Sequence, residues 1–347
     1  MATIGATALT YADWAKRVDD GYHIASIIEI LSQTNEILDD IMVVEGNLPT
    51  GHKTTVRSGL PQATWRLLNL GVPNAKSTTG QITDTCGNLE TYSVIDKDVA
   101  DLNGNTAEFR LSEVRAFLQG MSQQVAATMI YGNQNLNSER FTGFAPRYST
   151  VNTANSNTAN NVLNGGGTGS TNTSIWIVTW GADTWHAISP KGKMTGLQHV
   201  DMGEWPLTDT SGNTYQGYRD HFKWEIGLVG RDWRYCVRVA NIDVTQLTGV
   251  SAANLINLLI RALYRLPTAP VSATSIQTSD TPAVRADMGQ TVIYCNRVIR
   301  TYLDLQASNK TNVLLQMGEF DGKIVTKFRG VTVRTCDAIL NNEAQVV

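Results

Sequence analysis

The sequence predicts an α+β fold, and three observations carry that expectation. A helical repeat runs for about 25 residues from Asn105. Strand-like alternation fills 53–99 and much of 175–245, and it returns near the end of the chain. Hydrophobic residues make up 42% of the 347, enough to bury a core in roughly two domains, or in one with large excursions. The 28 basic and 31 acidic side chains give a net charge of −3, with no basic block. That argues against a dedicated nucleic-acid-binding module, which normally carries a concentrated positive face, and against a polybasic membrane anchor. Cys86, Cys236, Cys295 and Cys336 form no C-x-x-C pair, so they read as reduced buried thiols. Met1–Gly5 lacks the basic and apolar regions of a signal peptide, and no apolar run is long enough to span a bilayer. A soluble protein, made and used in a cytoplasm, is expected.

In order along the chain, Thr10 caps a short helix, Tyr11–Val18, which Asp19-Asp20-Gly21 ends. Ile24, Ile27, Ile28, Leu31, Leu38 and Ile41 then recur at helical spacing, with no following helix to cover the stripe they make. After a turn at 46–51 the period changes. Residues 53–68 and 82–99 read as limbs of a long two-stranded excursion with its tip near Gly71–Lys76. A hairpin of that length is marginal alone in water and implies a partner surface. Its charges are sorted: Lys53, Arg57 and Arg66 lie on the first limb, and Asp84, Glu90, Asp96 and Asp98 on the second, with Lys97 the exception.

Asn105, with Glu108 three residues on, gives a capping-box-like start to the best-marked element. Ala107, Leu111, Val114, Leu118, Met121, Val125 and Met129 line one face, and Gly132 stands at the C′ position. At 1.5 Å per residue such a helix is roughly 37 Å long, a spine rather than an ordinary packing helix. Thr150–Ser174, rich in Asn, Thr, Ser and Gly, reads as a linker or mobile loop. Ile175–Trp180 is a strand. Phe222–Val229 and Trp233–Val239 read as a hairpin about Gly230-Arg231-Asp232. Ser251–Leu266 is a helix stopped by Pro267, and Gly289–Asn296 a strand leading into the helix Arg297–Gln306. Lys323–Phe328 and Val331–Thr335 are closing strands.

No catalytic pattern emerges, and neither an enzyme nor a cofactor is expected. Gly165–Ser170 is glycine-rich but carries no lysine and follows no strand, so it cannot cradle a phosphate. His199, Asp201 and His221 can be drawn as a two-His-one-carboxylate metal site, and Cys295 with His186 as nucleophile and base. Both patterns are short, and loop and strand-edge side chains are the plainer reading. Trp176, Trp180, Trp185, Trp205, Trp224 and Trp233 read as core and interface packing before stacking platforms.

The order of parts resembles the major capsid proteins of tailed bacteriophages. The shared parts are an N-terminal arm, a long two-stranded loop, a spine helix ending in Met129-Ile130-Tyr131-Gly132-Asn133, and the turn Phe144-Ala145-Pro146. This resemblance covers nearly the whole chain and rests on architecture with loose motifs. It implies the phage major-capsid fold. Residues 1–46 are then the N-terminal arm, 47–104 an extended β-hairpin (E-loop), 105–149 and 215–247 a peripheral domain with the spine helix, and 150–214 with 248–347 an axial domain. The C-terminal parts look circularly permuted. Phe328-Arg329-Gly330-Val331-Thr332-Val333 resembles a strand that precedes, in the family, the pieces resembled by Ile175–Trp180 and Phe222–Val239, yet here it follows them.

The function implied is that of a shell protein of a tailed phage or prophage. Copies would self-assemble into pentamers and hexamers of an icosahedral head around double-stranded DNA. The expected place is the virion, after assembly in the bacterial host cytoplasm. Implied partners are other copies of the chain, a portal, packaged DNA held by non-specific contact, and a decoration protein, with no membrane. A separate scaffolding protein is expected too, because the residues before the long loop are too few for a fused scaffolding domain. The residues themselves agree on one point: an uncovered arm and an over-long hairpin suit a shell, where neighbours bury them. Intersubunit contacts are expected at Lys53, Arg57, Arg66, Asp84, Glu90 and Asp96 on the hairpin, and at Ile24, Ile28 and Leu31 on the arm. Lys76 is a candidate for the Lys–Asn crosslink some family members form, though a tip lysine more simply solubilises. Rival readings are an encapsulin-like compartment and a β-rich decoration or binding module built on 176–233.

Overall fold

The computed structural model describes residue 9 and residues 33–209, 211–249, 253–267, 290–308, 315–320 and 323–347. The helix expected at Tyr11–Val18 and the arm residues Ile24, Ile27, Ile28 and Leu31 lie outside the described residues. A one-turn helix α1 (Ile37–Asp40) leads to β1 (Val43–Glu45). The long excursion is β2 (Gly51–Gly59) with β3 (Thr78–Asp96), paired antiparallel from Gly51↔Thr85 to Gly59↔Thr78. Residues 60–77 at its end carry no strand. A short helix α2 (Lys97–Ala100) turns the chain into the spine helix α3 (Thr106–Tyr131), and a single turn α4 (Phe144–Arg147) follows.

Strands then dominate: β4 (Val162–Asn164), β5 (Asn172–Trp180), β6 (Trp185–Ser189), β7 (Leu197–Thr208), β8 (Thr214–Gly230) and β9 (Cys236–Asp243). Helix α5 (Leu255–Leu263), β10 (Gln290–Cys295), α6 (Arg297–Ser308), β11 (Leu315–Phe320), β12 (Lys323–Phe328) and β13 (Val331–Thr335) complete the described chain. The strands join in the order β11-β12-β13-β10-β5-β6-β8-β3-β2. Off this path, β7 pairs with β8, β9 with β4 and β5, and β1 with β6.

β5 is buried along its whole length, so both its faces are covered. Period-2 alternation assigns the faces. Ile175 and Ile177 join Val237, Val239, Ile293 and the apolar sides of α5 and α6. Trp176, Val178 and Trp180 face the other way, onto the end of α3 and onto Phe144 and Tyr148 of the α4 segment. Phe144 sits with its ring centroid 5.0 Å from Trp185 and 5.7 Å from Trp176. These tryptophans therefore pack the core, as their type and spacing lead one to expect.

Three expectations are corrected. Strands at 222–230 and 236–239 form, but not as a hairpin: β9 pairs with β5, while β8 pairs with β7, β3 and β6. A 3-10 turn at Trp233–Tyr235, capped by Asp232 accepting from the Arg234 N–H, redirects the chain between them. The hairpin beside the spine helix is β7–β8 instead, closed by the Asp209 carboxylate, which accepts from the Ser211 and Asn213 N–H groups. Second, Thr150–Ser174 is no loose linker. The Asn161 amide donates to the Arg234 and Cys236 carbonyls, and Asn172, Thr173 and Ser174 are fully buried strand residues. Here polar side chains bond backbone, which composition does not reveal.

Third, the apolar stripe of α3 is buried only over its second half, by Met121, Val125, Ala126, Met129 and Ile130. Ala107 and Leu111 of the expected stripe are exposed. The first half instead sits on the β3-β8-β7 sheet through Phe109, Phe117 and Arg110. The Phe117 ring lies parallel to Phe222 at 5.8 Å, and Arg110 bonds Asp220 of β8 at 3.0 Å. Asn105 makes no capping hydrogen bond; Glu108 is in the first turn, where its charge suits the helix dipole.

Candidate functional site

The hairpin is where sequence and structure point together. Lys53 and Arg57 project from β2, exposed and with no ion-pair partner among the described residues. The Lys53 backbone is held by Asn47, whose side-chain amide accepts from the Lys53 N–H at 2.7 Å and donates to its carbonyl at 2.8 Å. Arg66 lies in the exposed 60–77 segment, as does Lys76. The acidic limb is placed differently. Asp84 is buried and accepts from Arg147 at 2.8 Å, which makes it an internal tie between hairpin root and α4. Glu90 bonds the His221 ring, which holds its carboxyl below the usual range, and it also accepts from Tyr92 at 3.2 Å. Asp96 caps α2, accepting from the Asp98 N–H at 2.9 Å. The basic residues of the hairpin are thus open to a partner, whereas the acidic ones already have partners inside the chain.

A stronger feature went unread in the sequence. Leu60, Trp65, Leu67, Leu68, Leu70 and Val72 are all exposed at the end of the excursion, Trp65 completely. An exposed apolar run of this kind, carried away from the body on two strands, is a candidate contact site. The signal was available, since six large apolar residues between 60 and 72 do not alternate with polar ones.

The catalytic drawings dissolve in the geometry. The β7–β8 register sets His199 opposite Phe222 and His221 opposite Val200, so the two rings lie on opposite faces of one sheet. His199 stacks on Phe222 at 4.7 Å and bonds Asp220 at 3.0 Å. Asp201 bonds Arg110 at 2.5 Å, and His221 stacks on Tyr92 at 4.5 Å. Among the described residues no group of three or more His, Cys, Asp or Glu side chains is arranged to hold a metal ion. Cys295 of β10 is separated from His186 of β6 by β5, and burial pushes its thiol up to about 12. A thiol so rarely ionised is no nucleophile. All four cysteines are free.

The family description "Major capsid protein GP7" matches residues 19–347. Among solved structures, a chain of bacteriophage Epsilon15 is similar at 36% identity and a TM-score of 0.77, covering 100% of this chain and 99% of that one. The capsid of the native GTA particle is similar at 11% identity and TM-score 0.46, covering 68% of this chain and 99% of that one. The bacteriophage JBD30 capsid is similar at 11% identity and TM-score 0.46, with 89% and 92% covered. No curated protein matches the sequence.

Proposed function

The chain belongs to the major capsid protein GP7 family, and from that premise we propose that it builds its shell by laying the apolar tip of its hairpin on a neighbouring copy. The observation that carries this is the exposed run from Leu60 to Val72, with Trp65 bare. An aromatic side chain of this size covers about 150–250 Å² when buried, and removal from water is favourable by about 25 cal/mol per Å². Lys53, Arg57 and Arg66 add charge that steers the lap and fixes its register. Asp84, Glu90 and Asp96 support the hairpin from within. The arm residues Ile24, Ile28 and Leu31 belong to the same contact in this reading.

Copies close into pentamers and hexamers of an icosahedral head around double-stranded DNA. Assembly takes place in the host cytoplasm, with a scaffolding protein and a portal as partners and a decoration protein able to join the finished surface. The β3-β8-β7 sheet with α3 forms the peripheral part, and the β9-β5-β10-β13 sheet with α5 and α6 the axial part. This moves β3 and β7 to the peripheral part and β9 to the axial part, compared with the division drawn from sequence. The test is a Trp65→Asp, Leu68→Asp double variant. Loss of particles with an unchanged subunit circular dichroism spectrum is expected; wild-type particle yield would overturn the reading.

A further inference from the structure

The hairpin meets the body where one strand changes partners. β3 pairs with β2 as far as Thr85 and passes to β8 at the next residue, with Cys86 opposite Gly227. Side chains tie the root down beside this crossing. Arg147 bonds Asp84 at 2.8 Å, and the Thr85 hydroxyl donates to Gln134 at 2.8 Å. A further tie reaches β2 itself: Arg231, in the turn after β8, places its Nη2 3.4 Å from the His52 Nε2. An arginine can only donate, so this tie needs a neutral His52 with a free lone pair on Nε2. Backbone bonds close the same joint. The Gly46 N–H donates to the Ser189 carbonyl at 2.8 Å, and the Lys191 N–H to that of Leu48 at 3.2 Å.

A second histidine shares the place. His186 of β6 is fully buried, its ring edge-on to that of His52 with centroids 5.9 Å apart. Two carboxylates stand near the pair, and both are matched. Arg147 holds Asp84, and Arg231 holds Asp183 at 3.1 Å, where the Asp183 side chain is 64% exposed. The Gly181 backbone also favours a proton on His186, whereas Arg231 and the neighbouring His52 oppose it. Lys53, next along β2, alternates to the opposite face. Protons on both rings would set three positive charges around two carboxylates already in use. Burial first, and then the Arg231 charge, holds both rings below the usual histidine value, His186 at about 4.

We propose that His52 and His186 form a proton-operated latch at the hairpin root: neutral, they hold β2 against Arg231 and β6; protonated, they release the root so that the hairpin swings about the Thr85–Cys86 crossing. The open root binds these protons more readily than the closed one. The latch is therefore fully held above about pH 6.5 and weakens as pH falls toward 4. It is a property of the single subunit and does not rest on the shell reading. In a shell, it loosens the lap of the hairpin on its neighbour in acid.

The test is hydrogen exchange on unassembled subunits at about pH 7 and about pH 4.5, corrected for the intrinsic pH dependence of amide exchange. The Gly46 and Lys191 amides read the latch, and those of β5 read global unfolding. Each ring that takes a proton only when open favours opening by up to about 100-fold at pH 4.5. Gly46 and Lys191 should thus lose at least about 10-fold more protection than β5. A His52→Gln variant keeps an acceptor for Arg231 that takes no proton, so its root should respond far less. Equal losses at the root and in β5, no loss at the root, or an undiminished response in His52→Gln would overturn the latch. If unprotected β5 amides at pH 7 show that the variant is unfolded, the wild-type comparison decides alone.

Discussion

Glu343 accepts from Arg238 at 2.9 Å, from Ser174 at 2.5 Å and from the Tyr131 hydroxyl, so one carboxylate ties the chain's last residues to β9, β5 and the end of the spine helix. Glu343 and Arg238 are both 5% exposed at the side chain. Removing one partner of a buried pair strands the other charge, at about 3–5 kcal/mol. Glu343→Ala should therefore lower subunit stability by that amount in urea titration; a loss below about 1 kcal/mol would mean that water reaches Arg238. His186 gives a pH signature. Its ring is fully buried, and burial together with nearby Arg231 lowers its pKa to about 4. Between about pH 6.5 and 4 the unfolded chain binds this proton and the folded chain does not, so stability is full above 6.5 and falls as pH drops. The loss reaches about 3 kcal/mol near pH 4, and His186→Phe should flatten it. Neither residue was legible beforehand. Glu343 and His186 draw their roles from partners distant in sequence, which no local pattern records.

The spine helix was legible almost to its ends because a 3.6-residue repeat is local. Its C-terminus carries the instructive difference. Gly132 does stop the helix, yet its φ of −53° is one any residue adopts, so no left-handed cap is formed. The glycine is required by space: a Cβ there would stand 2.4 Å from the Thr128 carbonyl oxygen and 2.5 Å from that of Phe141. Gly143 is as tight, 2.4 Å from the Met129 oxygen, where its N–H donates to the Gly132 carbonyl at 2.8 Å. Gly143→Ala should cost about 1–3 kcal/mol by overpacking. An unchanged unfolding midpoint would show that the 132–143 loop can back away from the helix. The misread hairpin has a comparable cause. Gly230-Arg231-Asp232 looks like a turn and does turn the chain, but the right partner for β9 was β5, some 60 residues earlier along the chain. Turn chemistry is local, and strand partnership is not.

Among the described residues the molecule carries two cores on either side of β5, a smaller cluster about Phe109, and, beyond them, a hairpin whose end is exposed. That imbalance follows from the sequence. Residues 60–72 are as apolar as a core segment, but the described fold supplies no surface to receive them. An excursion too long to be stable alone was readable from its two limbs. The apolar tip follows neither a helix nor a strand period, so no periodic pattern marks it. The most direct measurement is the size of the purified wild-type protein and of the Trp65→Asp, Leu68→Asp variant, by light scattering followed by electron microscopy. Closed particles for the wild type, and only small, folded species for the variant, are the result expected. A wild-type protein that stays monomeric with its scaffold present, or a variant that closes shells as readily, would contradict a wall built through the hairpin tip.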